Sequence, residues 1–215
     1  MKYSLSLLIL FAGLLIFSAC SDSAVSNSEV ELTTEAFNLE AEKRAPAPGD
    51  QTIADIVVEA ASAEEDAEFT LLLAALEYTG LTGVFTGGDQ YTVFAPVDQA
   101  FVNLVEALSG DLDSEILDND GPFAAIDDLL GEGAVANVLL YHVAEGRRAA
   151  NSVVPRNMRA KDRKIDTLLD DASFYVAFGG TITDIAGQEV NITAADISAS
   201  NGIIHVIDTV LLPLE

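Results

Sequence analysis

The chain has 215 residues and a formal net charge of −25, with 35 acidic and 10 basic residues. This acidity argues against nucleic acids and against direct adsorption to anionic lipids, because both partners require a basic face. The single cysteine excludes a disulfide framework. No internal repeat is visible, so we expect one domain rather than an array.

Residues 1–19 are predicted to be an export signal rather than part of the fold. Lys2 supplies a positive start, and Leu5–Phe17 is an apolar run too short for the roughly 20 residues that span a bilayer. Phe17-Ser18-Ala19-Cys20 is similar to a bacterial lipobox, so we expect cleavage before Cys20 and a lipid on that thiol. The alternative is ordinary secretion after Ala19 with a free cysteine.

Residues 20–50 are predicted to be a lipidated cysteine followed by a disordered tether. The segment is rich in Ser, Glu and Ala, ends in Ala45-Pro46-Ala47-Pro48-Gly49, and shows no sustained periodicity. Such a composition buries too little apolar surface to offset the entropy of ordering. The folded domain is therefore expected in residues 51–215.

The first half of this domain is predicted to contain three helices and one strand. Apolar spacing predicts helices over Ile53–Ala63 and Glu68–Tyr78, the second ending at Gly80. The β-branched and aromatic residues of Tyr91–Pro96 predict a strand. Asp98 follows as the expected N-cap of the next helix.

The last third is predicted to be β-rich, so the domain as a whole is of the α+β class. A further helix is expected to lead to Tyr141 and His142, before the strands. A Gly179-Gly180 pair indicates a hairpin turn between two of these strands. The predicted strands are Ser173–Phe178, Thr181–Asp184, Glu189–Ile192 and Ile203–Leu212.

The segment Gly110–Gly133 is predicted to be a solvated acidic loop. Within it, Asp118-Asn119-Asp120-Gly121 matches part of a calcium loop, but Ile116 occupies the first ligand position and no Glu closes the loop. No metal or other cofactor is therefore expected.

Three segments of this sequence resemble the signatures of fasciclin-type (FAS1) domains. They are Tyr91–Phe101, Leu139–Val143 and Asn201–Pro213. Val97 stands where the family usually has Thr, which leaves the capping role to Asp98. The matched residues are Thr92, Val93, Phe94, Ala95, Pro96, Asp98, Phe101, Tyr141, His142, Asn201, Gly202, His205, Val206, Asp208 and Pro213.

The resemblance implies a β-sandwich or wedge with helices packed along one side, and a role in extracellular adhesion. It also implies Tyr141 and His142 as candidate contact residues. The competing interpretation is that both side chains belong to the core. No Arg-Gly-Asp sequence is present, so an integrin partner is not carried over.

The basic residues are concentrated in one segment. Residues 51–145 contain 19 acidic residues and no Lys or Arg, whereas residues 147–164 contain seven of the ten basic residues. Arg159, Lys161 and Arg163 alternate, so in a strand they would form a stripe for an anionic polysaccharide or an acidic protein. Alternatively, these cations are solvated or paired within the domain.

The sequence offers little for catalysis. Its two histidines, His142 and His205, both lie between apolar residues, and no nucleophile motif or phosphate loop occurs. We expect them to be hydrogen-bonded core residues, with His142 bonded to Asp98, and Asp208 to have a similar structural role.

The sequence therefore predicts a non-enzymatic lipoprotein of the bacterial cell envelope. Its expected function is adhesion to a surface polysaccharide or protein, with membrane attachment through Cys20 on the periplasmic or cell-surface side of the outer membrane. The alternatives are a structural envelope protein and a module that binds a small ligand or sugar.

Overall fold

The computed structural model describes residues 48–63, 67–109 and 122–214 of the chain. The predicted signal peptide, Cys20 and almost all of the tether lie outside these residues, as does the partial calcium motif at 118–121. Within the described residues, no helix is long and apolar enough to cross a membrane.

Six α-helices and one short 3-10 helix lie in the described residues, and several have clear local start or stop signals. The first begins at a capping box, in which Thr52 and Asp55 each accept a hydrogen bond from the other's backbone N–H. The second ends at Gly80, whose φ of 70° is left-handed. The helices are α1 Ile53–Ala61, α2 Thr70–Thr79, the 3-10 helix Leu81–Thr86, α3 Asp98–Ser109, α4 Phe123–Leu130, α5 Ala134–Tyr141 and α6 Ala150–Val153.

In the part of the chain that the structure describes, seven strands form one sheet in the order β2-β1-β7-β6-β5-β4-β3. Strands β1 and β7 are parallel, and all other neighbouring pairs are antiparallel. The strands are β1 Tyr91–Pro96, β2 Val143–Glu145, β3 Arg163–Asp166, β4 Ser173–Val176, β5 Thr181–Thr183, β6 Glu189–Ala199 and β7 Gly202–Ile207.

The sheet is nearly closed, because its two edges meet. The N–H of Leu168, just after β3, donates to the carbonyl oxygen of Val143 in β2 at 2.7 Å. One apolar core lies between the helices and the sheet, and a second is enclosed by the strands. Strand β1 contributes Val93 and Ala95 to the first core and Phe94 to the second. Burial on both faces explains why the sequence of β1 is mostly apolar.

The predicted α+β class is confirmed, but several elements differ from their predicted assignment. Helix α4 occupies Phe123–Leu130, inside the segment predicted to be an acidic loop. Strands β2 and β3 were not predicted; each has at most four residues. Strand β6 extends to Ala199, seven residues beyond its predicted end.

Candidate functional site

His142 follows α5 and joins it to the C-terminal segment. Its Nδ1 lies 2.6 Å from the carbonyl oxygen of Val138, and its Nε2 accepts the N–H of Leu211 at 2.9 Å. We assign a neutral ring with its proton on Nδ1. The carbonyl oxygen of Val138 can only accept a hydrogen bond, and Nε2 must be unprotonated to accept the N–H of Leu211. Burial lowers the pKa of His142 to about 4. The predicted hydrogen bond to Asp98 is wrong, since both ring nitrogens have other partners.

Tyr141 is completely buried in the core enclosed by the strands. Its hydroxyl donates to the carbonyl oxygen of Ser173 and accepts the N–H of Ile185, both at 3.2 Å. Burial raises the pKa of Tyr141 to about 12. The structure thus places Tyr141 and His142 in the core, where neither side chain can reach a partner from the surface.

His205 and Thr92 hold the turn that follows β2. The Nε2 atom of His205 donates to the carbonyl oxygen of Arg148 at 2.9 Å, and its Nδ1 accepts the N–H of Asp196 at 3.3 Å. The hydroxyl of Thr92 donates to Gly146 O at 2.6 Å and accepts Arg148 N–H at 2.8 Å. Both side chains are fully buried, and burial lowers the pKa of His205. Their polar atoms are therefore committed to the fold.

Asn201 and Gly202 connect the end of β6 to the helical layer. The Asn201 side chain accepts the N–H of Ile53 at 2.8 Å and donates to the carbonyl oxygen of Phe85 at 2.6 Å. Gly202 pairs with Tyr91 in the parallel ladder. A Cβ atom at Gly202 would overlap the Tyr91 carbonyl oxygen and lie 2.7 Å from Ile53 Cδ1. Only glycine allows this approach without a shift of the backbone.

Asp98 caps a different helix from the one predicted. Its carboxylate accepts the N–H of Thr70 at 3.1 Å, the hydroxyl of Thr70 at 2.7 Å and the N–H of Leu71 at 2.9 Å. These groups belong to the first turn of α2, where Phe69 precedes the helix in a left-handed conformation and makes no side-chain cap. Asp98 is itself the first residue of α3. It therefore joins the first turn of α2 to the first turn of α3.

Two other acidic residues have comparable roles. Asp127 of α4 accepts the N–H of Val135 in α5 at 2.9 Å. Asp208, just after β7, accepts the N–H of Asn191 at 2.9 Å and its amide at 3.0 Å. The predicted structural role of Asp208 agrees with these contacts.

The basic segment 147–164 divides into cations bonded within the domain and cations that face outward. The guanidinium of Arg147 donates to the Ala199 and Gly202 carbonyl oxygens, and Lys164 lies 2.7 Å from Asp166. Arg148 and Arg163 donate to the backbone carbonyls of Glu145 and Ser152. Arg156, Arg159 and Lys161 are exposed and form no salt bridge with a described carboxylate.

The predicted stripe of Arg159, Lys161 and Arg163 is not formed as a strand. Only Arg163 lies in β3, whereas Arg159 and Lys161 precede it in a turn and an irregular stretch. The alternation of residues therefore does not place the three side chains on one face of a strand.

An open cleft of about 500 Å³ lies beside this turn. Met158 is 82% exposed and Phe178, next to the β4–β5 turn, is 48% exposed. The cleft thus combines apolar surface with cations. Its lining residues are Arg156, Asn157, Met158, Arg159 and Phe178.

The family of the chain follows from a match to a family model. The model for the fasciclin domain matches residues 67–213, which include all three signature segments. The chain belongs to the fasciclin family. Its fold also matches a solved FAS1 domain pair from the insect cell adhesion molecule Fasciclin I, with a TM-score of 0.56 and 18% identity over 77% of this chain and 51% of that one.

Several curated proteins are similar to this fasciclin domain. Protein sll1483 of Synechocystis is 28% identical over 160 residues, 73% of each chain. Immunogenic protein MPB70 of Mycobacterium bovis is 28% identical over 72% of this chain and 68% of its own. The transforming growth factor-beta-induced protein ig-h3 of Sus scrofa is 30% identical over 69% of this chain, which spans only 18% of that protein.

The apolar residues of the fasciclin signatures lie in the interior of the domain rather than on its surface. The apolar signature residues Val93, Phe94, Ala95, Phe101 and Val206 are all buried. The cleft residues lie outside the signatures, so sequence reasoning selected only Arg159 among them. The absence of Lys and Arg elsewhere in the domain also made Arg156 a candidate, whereas no sequence signal pointed to Asn157, Met158 or Phe178.

One cavity in the described part of the fasciclin core is too small for a small-molecule ligand. An apolar cavity of about 20 Å³ lies between the helices and the sheet, beside His142. Ligand sites usually have about 300–1,000 Å³. Among the described residues, no three His, Cys, Asp or Glu side chains are grouped to hold a metal ion.

Proposed function

We propose that this chain is a non-enzymatic adhesion or matrix-binding lipoprotein of the bacterial envelope that displays one fasciclin domain. The observation that carries the proposal is the contrast between its interior and its surface. The polar groups of Tyr141, His142 and His205 are occupied by backbone partners, whereas the cleft around Met158 and Phe178 exposes apolar and cationic groups.

The non-enzymatic part of the proposal rests on the state of the two histidines. A general base must reach a substrate proton with a free ring nitrogen. In His142 and His205 each nitrogen has a backbone partner, and burial lowers both pKa values. Neither ring is therefore available for proton transfer with a substrate.

The lipoprotein part of the proposal rests on the sequence Phe17-Ser18-Ala19-Cys20. Two or three acyl chains on Cys20 would hold the chain stably at a membrane. A Cys20→Ser variant tests this. We expect the unchanged chain in the membrane fraction of its cells and the variant in the soluble fraction; the same distribution for both would contradict lipid attachment.

The adhesion part is tested by binding of the purified full chain to extracts of its own cells. Surface polysaccharide and surface protein fractions are immobilised separately and titrated from low to high salt. Saturable binding to either fraction is the expected result. Absence of binding to both would overturn the proposal in favour of a structural envelope role.

A further inference from the structure

We propose that the cleft lined by Arg156, Met158, Arg159 and Phe178 binds the carboxylate groups of a uronic-acid polysaccharide. This inference rests on the proposed adhesion function and names the ligand class of that function. The two arginines would pair with sugar carboxylates, and the Phe178 ring and Met158 would cover the apolar face of a sugar ring.

The charges of the domain favour an anionic ligand at this place. Residues 51–145 and 165–215 contain no lysine or arginine, so the outward cations are confined to this segment. Arg156 and Arg159 are exposed, and neither forms a salt bridge with a described carboxylate. Because the rest of the domain surface is acidic, an anionic polymer is attracted only where unpaired cations are exposed to solvent.

Arginine suits a carboxylate ligand in particular. The planar guanidinium presents parallel N–H donors that match the two oxygens of a carboxylate, which a lysine ammonium cannot do. Two arginines three positions apart line the same cleft. In the proposed complex they bind carboxylates on neighbouring sugar units of one polymer rather than a single small anion.

The cleft is held in shape by hydrogen bonds that do not use the guanidinium groups. The Asn157 side chain accepts the N–H of Arg159 at 3.1 Å, and Asn157 O accepts the N–H of Ala160 at 3.1 Å. Opposite this turn, Phe178 precedes Gly179 and Gly180, whose φ values of 94° and 88° form the tight β4–β5 turn. A pre-organised cleft loses less entropy on binding.

The exposed apolar side chains distinguish a polysaccharide from the other anionic partners. A nucleic acid or an anionic membrane requires a broad basic face. The net charge of −25 opposes every polyanion at long range, so contacts within the cleft must supply the affinity. A sugar polymer requires only local contacts, and the cleft offers them: cations for its carboxylates and an aromatic ring for its C–H face.

The test is a titration of the full chain with polygalacturonate, with neutral dextran as the uncharged control. We expect saturable binding to polygalacturonate that weakens with salt, and none to dextran. The double variant Arg156→Gln/Arg159→Gln should weaken binding about tenfold or more, and Phe178→Ala several-fold. The matched control Lys43→Gln/Arg44→Gln removes the same two charges from the predicted tether and should bind as the unchanged chain does.

Two further measurements are needed. One distinguishes the effect of positive charge from that of guanidinium geometry, and the other distinguishes binding to a polysaccharide from binding to a membrane. Arg156→Lys/Arg159→Lys retains the charge and should restore only part of the affinity if paired guanidinium contacts are made. Vesicles containing anionic phospholipid should not bind the Cys20→Ser chain, which lacks the proposed acyl anchor. Vesicle binding without polygalacturonate binding would overturn the inference, as would equal losses in the cleft variant and in the tether control.

The outcome remains distinguishable from that of the adhesion proposal. If the chain binds its own surface fractions but the Arg156→Gln/Arg159→Gln variant binds them equally well, the cleft assignment fails and adhesion stands. If the chain binds neither the fractions nor polygalacturonate, both fail. Circular dichroism of each variant confirms that a loss of binding is not a loss of folding.

Discussion

The Nε2 atom of His142 accepts the backbone N–H of Leu211 at 2.9 Å, across 69 residues of chain. This hydrogen bond fixes the segment after β7 against the end of α5. It requires a neutral imidazole, because the same nitrogen would carry a proton in the charged ring. The protonation of one buried side chain is therefore coupled to the attachment of the C-terminal segment.

We expect the stability of the protein to fall as the pH is lowered below about 6.5. His142 has a pKa of about 4 in the folded chain and about 6.5 in the unfolded chain, so only the unfolded chain binds a proton between these values. The stabilisation is complete above pH 6.5 and is lost as the pH falls towards 4. Linkage predicts a loss of about 2 kcal/mol between pH 7.5 and 5.0, measurable by urea unfolding.

The control for this pH dependence is His142→Gln, which keeps a polar side chain but does not titrate. The difference in unfolding free energy between pH 7.5 and 5.0 should be smaller in the variant than in the unchanged chain. His205, whose pKa is also lowered, remains in both proteins and supplies a common background. An identical pH dependence in the two proteins would show that His142 is not the group responsible.

Tyr141→Phe is expected to destabilise the domain without changing its adhesion. The change leaves the Ser173 carbonyl and the Ile185 N–H without their partner, at a cost of roughly 1–3 kcal/mol. Tyr175→Phe, on the half-exposed β4 residue, should change the stability by less than about 0.5 kcal/mol. Binding to the surface fractions, expressed per amount of folded protein, should be the same for both variants. A loss of binding in Tyr141→Phe alone would indicate that Tyr141 contacts the partner.

The sequence predicted helices, strands and turns correctly where their conformation is determined by residues that are close together in the chain. The left-handed Gly80 that ends α2 and the Gly179-Gly180 turn are dictated by backbone conformation within a few residues. Strand β1 was predicted from its β-branched and aromatic composition. Strands β2 and β3 were missed because short strands gain their stability from neighbours that are distant in sequence.

The roles of the polar residues depended on partners that the sequence does not reveal. Asp98 has the features of an N-cap, but the N–H groups it accepts belong to Thr70 and Leu71, up to 28 positions earlier. His142 was correctly expected to be buried, yet its partner is Leu211 rather than Asp98. Burial follows from apolar neighbours in the sequence, whereas the identity of a partner follows from tertiary packing.

Asp98→Ala is expected to lower the stability by about 1–2 kcal/mol, the usual cost of losing a helix cap. The variant leaves the first N–H groups of α2 without the acceptor that Phe69 does not provide. Asp128→Ala is the matched control, because it removes the same charge from an exposed position of α4. Urea unfolding should separate the two variants. Equal losses would indicate that net charge, not capping, governs the effect.

Gly202→Ala is expected to be the most damaging single methyl addition in the β1–β7 ladder. The added Cβ meets the backbone carbonyl of Tyr91 and the side chain of Ile53, and the backbone atom cannot move without disrupting the parallel pair. Overpacking of this kind costs about 1–3 kcal/mol or more. Thermal unfolding followed by circular dichroism should show a clear decrease in Tm.

The matched control for Gly202→Ala is Gly83→Ala, at an exposed position of the 3-10 helix. A Cβ at Gly83 meets no atom within 4 Å, and its φ lies outside the left-handed region. Its Tm should therefore stay close to that of the unchanged chain. If both substitutions lower the Tm equally, the loss of stability arises from a general effect of replacing glycine. The contact between position 202 and strand β1 would then not be the reason that glycine is required there.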